Sequence, residues 1–178
     1  MLDLETLRYP VGKFKSPETI SEADRAGWIA IIENLPQQVR NAIHNLTEAQ
    51  LDTPYRDGGW TIRQVAHHIP DSHLNAYCRF KLALTEDNPA IRPYFEDRWA
   101  ELPDGKSAPV DASLALLEAV HRRWVLVLRN MNEQDFARTF FHPENKVTRT
   151  LALNLALYAW HSRHHLAHIT ELKKRMGW

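Results

Sequence analysis

Trp60-Thr61-Ile62-Arg63-Gln64-Val65-Ala66-His67-His68-Ile69-Pro70-Asp71-Ser72-His73 opens a run that continues to about Glu86 with helical periodicity. Ile62, Val65, Ile69, His73, Ala76, Phe80 and Leu84 recur in three- and four-residue steps. That spacing places them in one stripe of an α-helix and disagrees with the two-residue alternation of a strand. Pro70 breaks the local rule: it has no N–H to offer the carbonyl of Ala66, so a bend is expected close to His68.

The same period recurs in three other places. Ser21-Glu22-Ala23-Asp24 reads as a helix cap with an acidic first turn, and Trp28, Ile31, Ile32, Leu35, Val39, Ile43 and Leu46 follow in a stripe that Pro36 should kink. Asp111 is expected to cap a helix carrying Leu114, Leu117, Val120, Trp124, Leu128 and Met131. Thr150 is expected to cap the last one, through Leu155, Tyr158, His165, Ile169 and Leu172 to about Arg175. Between these lie an extended arm over residues 1–20, a short turn from Thr47, a loop from Asp52 to Gly59, and a short ribbon over residues 139–149. The longest connection joins the second and third helices and is punctuated by Asn88-Pro89, Arg92-Pro93 and Pro103-Asp104-Gly105. The expectation is an all-α fold: one domain over residues 1–178, a four-helix bundle with a long connection between helices 2 and 3.

Composition narrows the function. The chain has 178 residues, with Lys plus Arg and Asp plus Glu equal at 22 each. A domain that binds nucleic acid concentrates basic residues, and no such balance or stripe is present here. No apolar stretch is long enough to span a bilayer, and the amino terminus lacks the basic lead and apolar core of a secretory signal. A cytoplasmic protein without membrane or nucleic-acid partners is expected. The one cysteine, Cys78, has no partner for an internal disulfide and is read as a small buried thiol.

Histidine is where the sequence departs from the ordinary. Seven of the ten histidines fall in His67-His68-Ile69-Pro70-Asp71-Ser72-His73 and His161-Ser162-Arg163-His164-His165-Leu166-Ala167-His168. Neutral imidazole is a common ligand for divalent transition metals, and a helix offers two such ligands from positions three or four apart. His161 and His165 stand roughly 40° apart around the axis and about 6 Å along it, so they can share an ion. A third ligand has to come from the other cluster. Three histidines leave coordination positions for water or substrate, as catalytic sites do. His121, Cys78 and Trp60 read as ordinary packing residues.

At these residues the chain resembles the DinB-like superfamily, in its YfiT-like branch of metal-dependent hydrolases. The resemblance rests on Tyr9-Pro10-Val11-Gly12, Leu51 to Thr61, Asp71-Ser72-His73, Arg79-Phe80-Lys81-Leu82, Ile91-Arg92-Pro93-Tyr94 and His161 to His168. It implies a four-helix bundle holding one divalent metal through His68, His161 and His165, with His67 turned away. It also implies that His168 is a polar or substrate contact rather than a fourth ligand. Asp71, His73, Asn75 and Arg79 would point towards the metal end of the bundle, as partners of the ligand imidazoles or of substrate.

Two chemistries suit such a site. A small thiol could be held as thiolate and transferred to an electrophilic small molecule, as in the bacillithiol S-transferases that the resemblance brings with it; this is the leading expectation. Alternatively, activated water could hydrolyse a substrate. A third, non-catalytic reading predicts a closed shell, with His164 or His168 added to the three. Zinc is the expected ion, with nickel or another transition metal also suited to imidazole, and the resemblance implies a homodimer.

Overall fold

The computed structural model describes residues 3–178. The amino-terminal arm is not wholly extended as expected, because it contains helix α1 (Leu4–Arg8). The Asp3 carboxylate accepts the Thr6 N–H at 2.8 Å and so caps a single turn that has too few residues for an apolar period to appear. Helix α2 (Glu22–Ile43) starts from a capping box between Ser21 and Asp24, and α3 (Glu48–Leu51) from one between Thr47 and Gln50. Helix α4 (Ile62–Thr85) has its own box, Thr61 with Gln64. Both α2 and α4 run through their prolines, Pro36 and Pro70.

The long connection after α4 is partly helical, in α5 (Glu96–Trp99) and α6 (Pro103–Ser107). Helix α7 (Asp111–Arg129) begins one residue earlier in its cap than the sequence suggested. Val110 holds the N-cap position with no side-chain bond, and Asp111 sits in the first turn, where its charge complements the helix dipole. After α8 (Glu133–Ala137) come β1 (Thr139–His142) and β2 (Val147–Thr150), an antiparallel ribbon that pairs Thr139 with Thr150 and His142 with Val147. Thr150 then caps α9 (Leu151–Met176), accepting the Leu153 N–H, and Gly177 ends it at φ 69°, a left-handed conformation natural to glycine.

The four long helices form the bundle. Helix α2 packs on α7 and α9, and α4 packs on the same two, so α2 and α4 stand diagonally opposed. The first and second long helices, and likewise the third and fourth, therefore lie across the bundle from each other, which explains why the segments after α2 and after α7 are long enough to hold α3, α8 and the ribbon, whereas α4 and α7 are in direct contact. Two apolar clusters fill the interior. One gathers Phe80, Trp124, Phe140, Leu151, Leu155 and Tyr158, and the other Leu35, Val39, Ile62, Val65, Ile69, Leu117 and Ile169. Each fully buried aliphatic or aromatic side chain contributes about 1.5–3 kcal/mol. Along α4, α7 and α9 the histidines His73, His121, His161 and His165 fall where one cluster gives way to the other. The bundle thus has a polar layer across its middle.

Other contacts hold the connection against α4. Ile91 N–H donates to the Phe141 carbonyl at 3.0 Å and Phe141 N–H to that of Pro89 at 2.9 Å, fixing the connection to the ribbon. Gln64 donates to the Ala100 carbonyl at 2.9 Å. A Cβ on Gly105 would lie 3.0 Å from that same carbonyl oxygen, so any larger residue would push this backbone away by a few tenths of an ångström. Arg138 caps the far end of α4, donating to the carbonyls of Ala83 at 2.6 Å and Glu86 at 3.1 Å. Cys78 is exposed rather than buried, since it shares the solvent face of α4 with Leu74 and Lys81. Among the described residues no helix is long and apolar enough to cross a membrane.

Candidate metal centre

Helix α4 and helix α9 bring His68, His161 and His165 together, each with one ring nitrogen within 4.8 Å of the others. Nε2 of His68 lies 3.3 Å from Nε2 of His161. Two nitrogens of a tetrahedral zinc site, each about 2.0–2.1 Å from the ion, stand about 3.3–3.4 Å apart, so this spacing accepts a cation. Nδ1 of His165 is buried and has no hydrogen-bond partner, an arrangement that is costly for a polar atom unless something else coordinates it. Burial pushes His68 down to about 3 and holds His161 and His165 well below their ordinary range. All three imidazoles are therefore neutral, the form that donates a lone pair to a metal. The residues present fit a divalent ion.

The proton arrangement on His161 can be traced to a proline in another helix. Pro36 offers no N–H to the carbonyl four residues earlier, which leaves the oxygen of Ile32 free within α2. Nδ1 of His121 lies 2.5 Å from that oxygen. A carbonyl only accepts, so the His121 proton is on Nδ1, and burial keeps this imidazole neutral by lowering it to about 4. Nε2 of His121 then accepts from Nδ1 of His73 at 2.9 Å, and Nε2 of His73 accepts from Nδ1 of His161 at 3.1 Å. The chain leaves Nε2 of His161 unprotonated and facing His68. His73 thus sits against a candidate ligand, as the sequence suggested. His121, read there as ordinary packing, is the link that fixes the tautomers.

Other expected residues lie elsewhere. His67 turns away, bonded to Ser113 Oγ at 2.7 Å and to the Ala108 carbonyl at 3.1 Å. Asn75 donates only to the Asp71 carbonyl at 2.9 Å, along its own helix, and so does not reach the triad. The Asp71 carboxyl is raised to about 6 by burial and by the Asp104 carboxyl of α6, and Asp71 does not line the cavity at the triad. His168 donates through Nε2 to the Arg8 carbonyl at 3.1 Å and stacks on Tyr55, with ring centroids 3.9 Å apart. His164, His165 and His168 form a second close group, but neither His164 nor His168 joins His68 and His161 among the described residues. The closed four-histidine shell is therefore not the arrangement found. Trp60, expected only to pack, lays its ring 4.6 Å from that of His68.

The triad opens into a cavity of about 900 Å³. Its wall includes Tyr55, Trp60, Ser72 and Trp160, and also Arg79, Tyr94, His142 and Arg149, which reach it from α4, the long connection and the ribbon. Of these last four, only Arg79 was a candidate from sequence. The others share no helical stripe, and nothing short of the tertiary fold connects them. Ser72 Oγ lies 3.4 Å from both His161 Nε2 and the Tyr158 hydroxyl, on the cavity side of the triad.

Comparison with known proteins agrees with this architecture. A family model described as the DinB superfamily matches residues 31–169. A Bacillus subtilis protein named "Putative metal-dependent hydrolase YfiT" is 54% identical over 172 residues, covering 97% of each chain. A Bacillus cereus protein named "Putative metal-dependent hydrolase" is 55% identical over 175 residues, covering 98% of this chain and all of its own. The solved structure of the Bacillus subtilis protein, described as "a probable metal-dependent hydrolase with an unusual four-helix bundle topology", superposes with a TM-score of 0.95 and covers 97% of this chain and 99% of its own. The diagonal placement of α2 and α4 is thus shared over essentially the full length of a close relative, and the chain belongs to the DinB superfamily.

Proposed function

We propose that the protein is a metal-dependent hydrolase whose divalent ion, zinc or a chemically similar transition metal, is held by His68, His161 and His165. The observation that carries this reading is the open triad itself: three neutral imidazoles, one with its tautomer fixed, at the wall of a cavity large enough for a substrate. A cation held there supplies Lewis acidity, which polarises a substrate carbonyl and makes water a nucleophile near neutral pH. His73 and His121 hold His161 in the ligating tautomer. Trp60 covers one side of His68 and limits solvent there, while Ser72 offers a hydroxyl beside His161 for orienting water or substrate. The names of the relatives favour hydrolysis over the thiol transfer expected from the sequence.

Thiol transfer is the second reading, and one observation favours it. No aspartate or glutamate joins the triad among the described residues, so the site has no adjacent carboxylate base for water, whereas a thiol needs only to be held as thiolate. Product analysis by mass spectrometry separates the two. Incubating zinc-loaded protein with a panel of small esters and amides, and separately with a small thiol and an alkylating electrophile, should give metal-dependent cleavage in thiol-free buffer. A thioether adduct that requires metal, with no cleavage of any ester or amide, would overturn the hydrolase reading.

A further inference from the structure

Among the described residues three arginines are buried, Arg25, Arg63 and Arg79. Arg25 pairs with Glu133, and Arg63 with Glu48 and Asp52. Arg79 is 8% exposed and forms no salt bridge or side-chain hydrogen bond among the described residues. With no carboxylate beside it, this guanidinium is an unpaired cation available to an incoming anion. Arg79 lies on the wall of the cavity that holds the triad. Its position on α4, eleven residues past His68, puts it about 20° from His68 around the axis and about 16 Å farther along. Helix side chains lean towards the N-terminus, which brings its head back towards the triad.

Arg149, on β2, reaches the same wall from the opposite element and likewise lacks a carboxylate partner among the described residues. Burial first and the Arg79 guanidinium second lower the proton affinity of Arg149, and burial followed by the two arginines lowers that of His142, which lines the same cavity. Three carboxylate residues also line the cavity, Glu96, Asp97 and Glu144, and all are exposed. The inner wall is therefore cationic in a protein whose formal net charge is zero.

We propose that Arg79 and Arg149 together bind an oxyanion carried by the substrate, a carboxylate or a phosphate, while its reacting group lies at the histidine triad. Paired guanidiniums offer planar, bidentate donors that match either anion. The proposal rests on the triad being the reacting centre, and it assigns the substrate class as an anionic small molecule.

The test is titration of zinc-loaded wild type, Arg79→Gln, Arg149→Gln and Arg129→Gln with succinate and with inorganic phosphate at low ionic strength. Binding is followed by calorimetry, with zinc content measured on every sample. Arg129 is exposed and paired with Glu33, outside the cavity, and serves as the control. At least one anion should saturate wild type, and each cavity variant should bind it about tenfold or more weakly, the loss of a charge-assisted bond, with Arg129→Gln unchanged. The anion that binds more tightly identifies carboxylate or phosphate. Failure of both anions to saturate wild type, or wild-type affinity in Arg79→Gln and Arg149→Gln, overturns the proposal. Should Arg79→Gln not fold, half-buried Arg149 carries the test alone. Zinc content reports the triad separately: a wild type that binds the anion through the arginines but takes up no zinc would remove the reacting centre and leave the anion site standing.

Discussion

Replacing His121 by alanine removes a residue that touches no candidate ligand, and yet it should weaken metal binding. The substitution takes away the acceptor of the His73 Nδ1 proton, 2.9 Å away in a buried setting. Leaving that N–H unsatisfied costs about 1–3 kcal/mol. His73 can escape by moving its proton to Nε2, but that nitrogen lies 3.1 Å from the Nδ1 proton of His161. Two donors then face each other, and His161 relieves the conflict only by carrying its own proton on Nε2, the nitrogen turned to His68. Removing such outer partners typically lowers metal affinity 10- to 100-fold, or about 1.4–2.8 kcal/mol. Competition for zinc against a chromogenic chelator measures the change. His121→Gln, whose amide oxygen can accept from His73, should recover part of it, and nitrogen NMR of the imidazoles should show His73 protonated on Nδ1 in wild type and His121→Gln but not in His121→Ala. A folded His121→Ala with wild-type zinc affinity and an unchanged His73 tautomer would refute the reasoning.

Two further outcomes are expected. Alanine at His68, His161 or His165 should each remove most bound zinc by metal analysis, while His67→Ala, whose ring bonds Ser113 and the Ala108 carbonyl, should retain it; full occupancy in His68→Ala would contradict the ligand set. Chelator-treated protein should lose stability on mild acidification: burial holds His68 and His168 down at about 3 and His121 and His164 at about 4, below the unfolded value of 6.5. Depressed values mean that unfolding takes up protons, so this stability is present above pH 6.5 and is lost as pH falls towards 3, at about 1.4 kcal/mol per pH unit for each proton. Urea midpoints at pH 7.5 and 5.5 check this, and a difference equivalent to less than one proton would count against burial of these imidazoles as neutral groups.

The helices were legible because their information is local. Stripes such as Ile62, Val65, Ile69 and Phe80 record which side of a helix is buried, and Ser21, Thr61 and Thr150 mark starts through a bond to an N–H three residues on. The histidine triad was legible for the same reason in α9, where one turn separates His161 from His165. Bundle order was not. A stripe says that a face is covered and is silent on which helix covers it, so nothing local shows that His121 meets His73 rather than another apolar wall. Arg149 and Tyr94 belong to a ribbon and a connection whose relation to α4 exists only after folding. Cys78 failed in a different way, since a small residue beside an apolar stripe has no local mark of its own exposure.

Pro36 bears on any attempt to transplant the site. Copying His68, His161 and His165 onto a regular bundle would reproduce the ligand atoms without the instruction for where their protons reside, because a regular first helix would satisfy the carbonyl equivalent to Ile32 from within. A graft would need five histidines and a missing N–H, spread over all four long helices. The smallest portable unit of this centre is therefore the whole cross-section of the bundle, and its least conspicuous component has no polar side-chain atom at all.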